Sequence, residues 1–118
     1  MRTRQQFGRP LSANQGVQFS VTDMAVKLHM ARLTVRHAAA MLDGSHPAAP
    51  GFAAVAKRSA TELGFEVVDA ALQLHGGYGY LRAFPLERFL RDVRVHRILE
   101  GTNEIMSVLI SRAVLGDD

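Results

Sequence analysis

At 118 residues the chain has room for one domain with a real hydrophobic core and little beyond it. Hydrophobic residues supply 47% and charged residues 21%, the proportions of a globular protein, and no apolar run approaches the roughly 18 residues of a membrane span. The absence of cysteine excludes disulfides and thiolate chemistry. Fourteen Lys plus Arg against eleven Asp plus Glu give a net charge of +3, too small an excess to require a nucleic-acid partner.

Residues 1–13 are polar and basic. The arginines of "MRTRQQFGRP" have no apolar stretch behind them, so this is no secretory signal, and Pro10 predicts a bend. Next comes the clearest pattern in the sequence. Val17, Val21, Met24, Leu28, Ala31, Val35, Ala38 and Leu42 recur at alternating spacings of four and three, which predicts one helix from Asn14 to Leu42. Asn14 is its expected N-cap. The stripe is strictly heptad, so it suits a seam between subunits as well as an internal core.

"DGSHPAAPG", residues 43–51, reads as a loop, and a second helix is expected from about Phe52 to Leu74, with Ala56, Ala60, Leu63, Val67, Ala71 and Leu74 inward. The glycines of "HGGYGY" stop it. A short helix is expected from Pro85 to about 92. A last one, 103–115, is capped by Thr102 and turns Ile105, Met106, Leu109 and Ala113 inward. No stretch alternates as a strand would. The expected fold is all-α: an antiparallel four-helix bundle.

"GGYG" at 76–79 follows a helix rather than a strand, which argues against a dinucleotide-binding turn. It either ends the helix or offers bare backbone to a cofactor or another subunit. Arg88, Arg91, Arg94 and Arg97 come every three residues, but Glu87 and Asp92 sit among them and aromatic interleaving is sparse, so solvated or salt-bridged faces are the simpler reading. The five histidines include no metal-ligating pair, and no Gly-x-Ser-x-Gly elbow is present.

Glu100 stands out within "HRILEGTNEI". Thr102 is the better cap, and Glu104 already supplies an acid for the helix dipole. Ile98 and Leu99 suggest apolar surroundings, where a carboxylate becomes a stronger base. Read from pattern alone, a solvated turn acid and a catalytic base both remain open.

"QFGRPLSANQGVQFSVTDMA", "ALQLHGGYGYLRAFPLERFLRD" and "ILEGTNEI", in this order and at these separations, resemble the C-terminal domain of the acyl-CoA dehydrogenase family, over nearly all 118 residues. The wording is most similar to that of the isobutyryl-CoA and short branched-chain members. The resemblance implies that residues 1–118 follow an N-terminal helical and a middle β domain in a complete enzyme, a dimer of dimers. It implies that Glu100 removes the α-proton of an acyl-CoA thioester while the β-hydrogen leaves as hydride to FAD, which an electron-transferring flavoprotein reoxidises. The backbone N–H of Glu100 would polarise the thioester carbonyl. By the same resemblance Arg4, Phe7 and Gln15, with Leu11 and Asn14 close by, would meet the FAD of a neighbouring subunit. Gln73, Gly76 and Gly77 would meet its adenosine diphosphate side. Thr102 and Glu104 would lie beside FAD, and Leu99 and Gly101 would line the acyl pocket. Such enzymes reside in the bacterial cytoplasm or the mitochondrial matrix, and 118 residues without the other domains are expected to be inactive. The competing class is a non-enzymatic helical module, associating through the 17–42 stripe or binding nucleic acid through its basic surface.

Overall fold

A computed structural model describes residues 3–116 of the chain. The described chain begins with a minimal hairpin. Gln5–Gln6 (β1) pairs antiparallel with Arg9–Pro10 (β2), Gln5 opposite Pro10 and Gln6 opposite Arg9. Phe7 (φ 54°) and Gly8 (φ 74°) make the connection, as a tight two-residue hairpin requires. Two-residue strands are too short to show alternation, which is why the sequence announces only a bend at Pro10.

After a 3-10 turn at Leu11–Ala13, Asn14 caps the long helix α1, Gln15–Asp43, its side chain accepting from the Gly16 N–H at 3.0 Å. The second helix, α2, spans Ala49–His75 and so starts three residues before the expected Phe52. Pro50 and Gly51 look like breakers in sequence, yet a proline in the first turn gives up only an N–H that has no helical partner there. A single-turn helix α3, Gly77–Tyr80, follows directly; α4 covers Leu86–Val95 and α5 Asn103–Leu115.

The bundle is organised around α2, which packs against α1 along its length and against α4 and α5 on its other sides; α1 makes no comparable contact with α4 or α5 among the described residues. Ala49, Ala54, Ala56 and Val67 of α2 are buried, with Ala38 from α1 and Met106 from α5. These mostly small side chains let helix backbones approach closely. The result is a rod of 61 × 25 × 25 Å. Two further ties fix α1 to α2: Lys27 pairs with Glu66 at 2.6 Å, and His37 meets Phe52 edge-on at 4.7 Å.

The heptad stripe of α1 splits in two. Val17, Met24, Ala31 and Ala38 turn inward, whereas Val21, Leu28, Val35 and Leu42 stay exposed. Phe19, Val26 and Leu33, nearly opposite the inward row, are exposed as well. α5 is rotated from expectation: Asn103 and Met106 are buried and Ile110 half-buried, while Ile105 and Leu109 face out. The inward row contains a polar residue, Asn103, which a purely apolar count passes over. No helix is long and apolar enough to cross a membrane among the described residues.

Candidate functional site

The connection from α4 to α5 carries Glu100, and its shape comes from backbone bonding at both ends. Past Val95 the chain tightens, with the N–H groups of Ile98 and Leu99 both reaching the Val95 carbonyl (2.8 and 3.0 Å). At the far side the Asn103 N–H closes the loop onto the Arg97 carbonyl at 3.0 Å, and Thr102 caps α5 by accepting from the Ile105 N–H at 3.3 Å. Between these anchors Glu100 adopts φ 54° and Gly101 φ 89°. A glutamate in the left-handed region costs on the order of 1–3 kcal/mol and persists only where surrounding structure enforces it. Gly101 has a second reason to be glycine, because a Cβ there would lie 2.8 Å from the Met106 methyl.

The enforcing structure is a polar cluster on α2. Lys57 Nζ donates to the Gly101 carbonyl and to Asn103 Oδ1, both at 2.7 Å. Asn103 Nδ2 donates to Glu62 Oε1 (2.8 Å) and Thr61 Oγ1 (3.0 Å), so this buried amide has partners at both ends. Arg97 pairs with Glu62 and stands over the Phe65 ring, its guanidinium carbon 5.0 Å from the centroid. Of these five polar residues only Arg97 drew notice in the sequence, as one of four spaced arginines. Lys57 and Asn103 meet across more than forty residues of chain, a relationship that no local pattern reports.

The expected apolar surroundings of Glu100 are not supplied by this chain. Glu100 is exposed, with Ile98 and Leu99 exposed beside it, because the loop crosses the outside of the rod and nothing among the described residues lies over it. Thr102 is half-buried and occupied as a cap. Glu104 is exposed, its carboxyl held below the usual range chiefly by its own backbone N–H and then by the Thr102 hydroxyl.

The remaining candidate residues gather at the other end of α2. Thr3, Arg4, Leu11, Leu74, His75, Tyr78 and Phe84 line an open groove of ≈ 530 Å³. Arg4 Nη1 comes within 3.8 Å of where a Cβ on Gly76 would stand, and the Leu11 N–H bonds the Arg4 carbonyl at 3.0 Å. Gly76 (φ 59°) ends α2 with its N–H on the Gln73 carbonyl, and Gly77 faces open space. Phe7 stands 91% exposed at the hairpin tip, Gln15 and Gln73 are exposed, and Asn14 is committed to its cap. The groove and the Glu100 turn are separate: Lys57 and Gln73 lie sixteen residues apart on α2, about 24 Å along its axis. Among the described residues no group of three or more His, Asp or Glu side chains is placed to hold a metal.

Residues 1–115 match the family model of the acyl-CoA dehydrogenase C-terminal domain. The chain belongs to the acyl-CoA dehydrogenase family. It is 52% identical over all 118 residues to the mitochondrial isobutyryl-CoA dehydrogenase of Dictyostelium discoideum, covering 28% of that protein. Among solved structures it is similar to butyryl-CoA dehydrogenase of Megasphaera elsdenii, with a TM-score of 0.92 and 37% identity, over 97% of this chain and 30% of that one. It also resembles the FAD complex of PigA, with a TM-score of 0.90 and 29% identity, over 96% of this chain and 29% of that one. The chain thus spans less than a third of the acyl-CoA dehydrogenases it matches, and the all-α helical architecture expected for the family's C-terminal domain is the one observed.

Proposed function

We propose that this chain is the C-terminal helical domain of an FAD-dependent enzyme that desaturates an acyl-CoA thioester to the 2-enoyl-CoA, with Glu100 as the base that takes the α-proton. The observation that carries this is the backbone of Glu100. A glutamate at φ 54°, followed by Gly101 at φ 89°, is held between the end of α4 and the capped start of α5, and by a lysine from a third element. Such enforced strain is a feature of reactive positions.

The chemistry asks two things of this turn. The α-proton becomes removable only as negative charge moves onto the thioester oxygen, so a donor must wait there. The Glu100 N–H donates no backbone hydrogen bond among the described residues, which leaves it available for that oxygen. The carboxylate must also be a better base than it is in water. Ile98 and Leu99, half exposed at 54% and 45%, are the apolar surface that an acyl chain would cover together with Gly101, and the loss of water strengthens the base.

The residues present suit a flavin dinucleotide. The groove at Arg4 combines a guanidinium for a pyrophosphate with the aromatic rings of Tyr78 and Phe84, and Gly76, near Arg4, and Gly77 offer bare backbone beside it. Bound FAD would supply the hydride acceptor. Arg4, Phe7, Gln15, Gln73, Gly76 and Gly77 would meet the cofactor of a neighbouring subunit, with Leu11 and Asn14 close by, and Thr102 and Glu104 would lie beside FAD. The groove and the base-bearing turn lie on different stretches of α2, so we read them as meeting two different flavins in a homo-oligomer, a dimer of dimers. An electron-transferring flavoprotein would accept the electrons. The 118 residues alone would neither retain FAD nor turn over substrate.

The test joins this chain to the preceding part of the Dictyostelium enzyme and compares Glu100 with Glu100→Gln. The substitution should abolish dye reduction by isobutyryl-CoA while flavin absorbance stays. Near-normal turnover in the variant would sink the assignment.

A further inference from the structure

We propose that Lys57 is a positioning residue for the proton transfer: from the N-terminal third of α2 it clamps the turn that presents Glu100. The proposal rests on Glu100 being the base, and its test separates the two ideas.

Three holds act on residues 97–103, and they differ in kind. The Asn103 N–H on the Arg97 carbonyl and the Thr102 cap fix the ends of the loop. Neither touches the two residues in left-handed conformation. Lys57 does, because one of its two 2.7 Å bonds goes to the carbonyl of Gly101. Glycine is the residue best able to rotate its peptide planes, so without a donor on that oxygen the Gly101–Thr102 peptide could turn and carry Glu100 with it. The second bond, to Asn103 Oδ1, ties the same ammonium to the first residue of α5.

The supports of Lys57 are themselves fixed. Asn103 is only 6% exposed, and its amide nitrogen is spent on Thr61 and Glu62, which orients Oδ1 toward Lys57. Glu62 is held in turn by Arg97, at the start of the same loop. Thus α2 grips the loop at Arg97, Gly101 and Asn103. An ammonium suits this position because it offers three donors on a stem long enough to reach from the helix. A charge-assisted bond is also stronger than a neutral one.

Two variants in the joined enzyme test the clamp. Lys57→Met keeps the stem and removes the donors; Lys57→Arg keeps a cation able to reach both oxygens. Lys57→Met should lower kcat by roughly 10- to 100-fold, as misplacement of a reacting group does, while KM for isobutyryl-CoA and flavin content hold within about twofold. Lys57→Arg should recover most of the turnover. In the 118-residue chain itself, Lys57→Met should speed hydrogen exchange at the Asn103 amide by roughly tenfold, a local opening that leaves the core of α2 protected. Unchanged kcat and exchange in Lys57→Met would overturn the clamp, as would equal impairment of the Met and Arg variants, or losses of flavin and KM that track kcat. Normal turnover in Glu100→Gln would remove the base assignment alone, because the exchange measurement reads the clamp without any chemistry.

Discussion

The guanidinium of Arg97 pairs with the Glu62 carboxylate and stands over the ring of Phe65, so one side chain ties the base-bearing loop to α2 by charge and by aromatic contact. Both partners of the ion pair are largely shielded, which raises its worth above that of a surface pair. Arg97→Ala should destabilise the chain by about 1–2 kcal/mol, combining the lost pair with the lost cation–π contact. Urea unfolding of Arg97→Ala, Glu62→Gln and the double variant would measure the coupling. Strictly additive effects would mean that the pair contributes nothing.

Gly79 and Gly77 should respond in opposite ways to alanine. A Cβ on Gly79 would stand 2.7 Å from the Leu72 carbonyl oxygen, an atom fixed in α2, while one on Gly77 meets nothing. Gly79→Ala should therefore cost about 1–3 kcal/mol as overpacking, and Gly77→Ala should stay within about 0.5 kcal/mol. Thermal unfolding of the two variants side by side is sufficient.

Stability should fall at both pH extremes for identifiable reasons. The carboxyl of Glu104 is held below its ordinary 4.5, first by its own backbone N–H and then by the Thr102 hydroxyl. Its contribution is complete above that value and is lost as pH falls through the lower folded one. Lys27, raised above 10.5 chiefly by its bond to Glu66, contributes below that value and loses its contribution as pH rises beyond it. Glu104→Gln should flatten the acid limb of a stability-against-pH curve and leave the alkaline limb, and Lys27→Met should flatten the alkaline limb. An alkaline limb unchanged in Lys27→Met, or altered in Glu104→Gln, would contradict this assignment.

The chain alone should self-associate. Val21, Leu28 and Val35 on one face of α1, and Phe19, Val26 and Leu33 on another, are more apolar surface than a monomer in water ordinarily shows. Sedimentation should report species above 12.9 kDa, and Leu28→Glu should shift them toward the monomer. A strictly monomeric parent chain would count against the seam.

How far the sequence anticipated this structure depended on whether the relevant physics is local. Asn14 and Thr102 were legible as caps because a cap is one side chain and an N–H two or three residues away. The long helix was legible because one period runs through 29 residues. The start of α2 was not, since Pro50 and Gly51 are judged by average behaviour, whereas the first turn of a helix is where proline does no harm. The inward face of α5 was misread because Asn103 is polar and buried, which makes sense only once Lys57, Thr61 and Glu62 are beside it. For Glu100 the sequence supplied the residue and the turn. The expected apolar enclosure did not follow, since the loop's own apolar neighbours point into open space in this chain.

Between Lys57 and Gln73, α2 contains no proline and a single glycine, Gly64. It therefore has no joint at which its halves could move independently, and helical hydrogen bonding runs unbroken between them. The groove at Gly76 and the turn at Glu100 consequently ride on one shaft. Lys57, which holds the Gly101 carbonyl, and Gln73, beside the groove, are thus set at a fixed spacing of about 24 Å along one continuous helix.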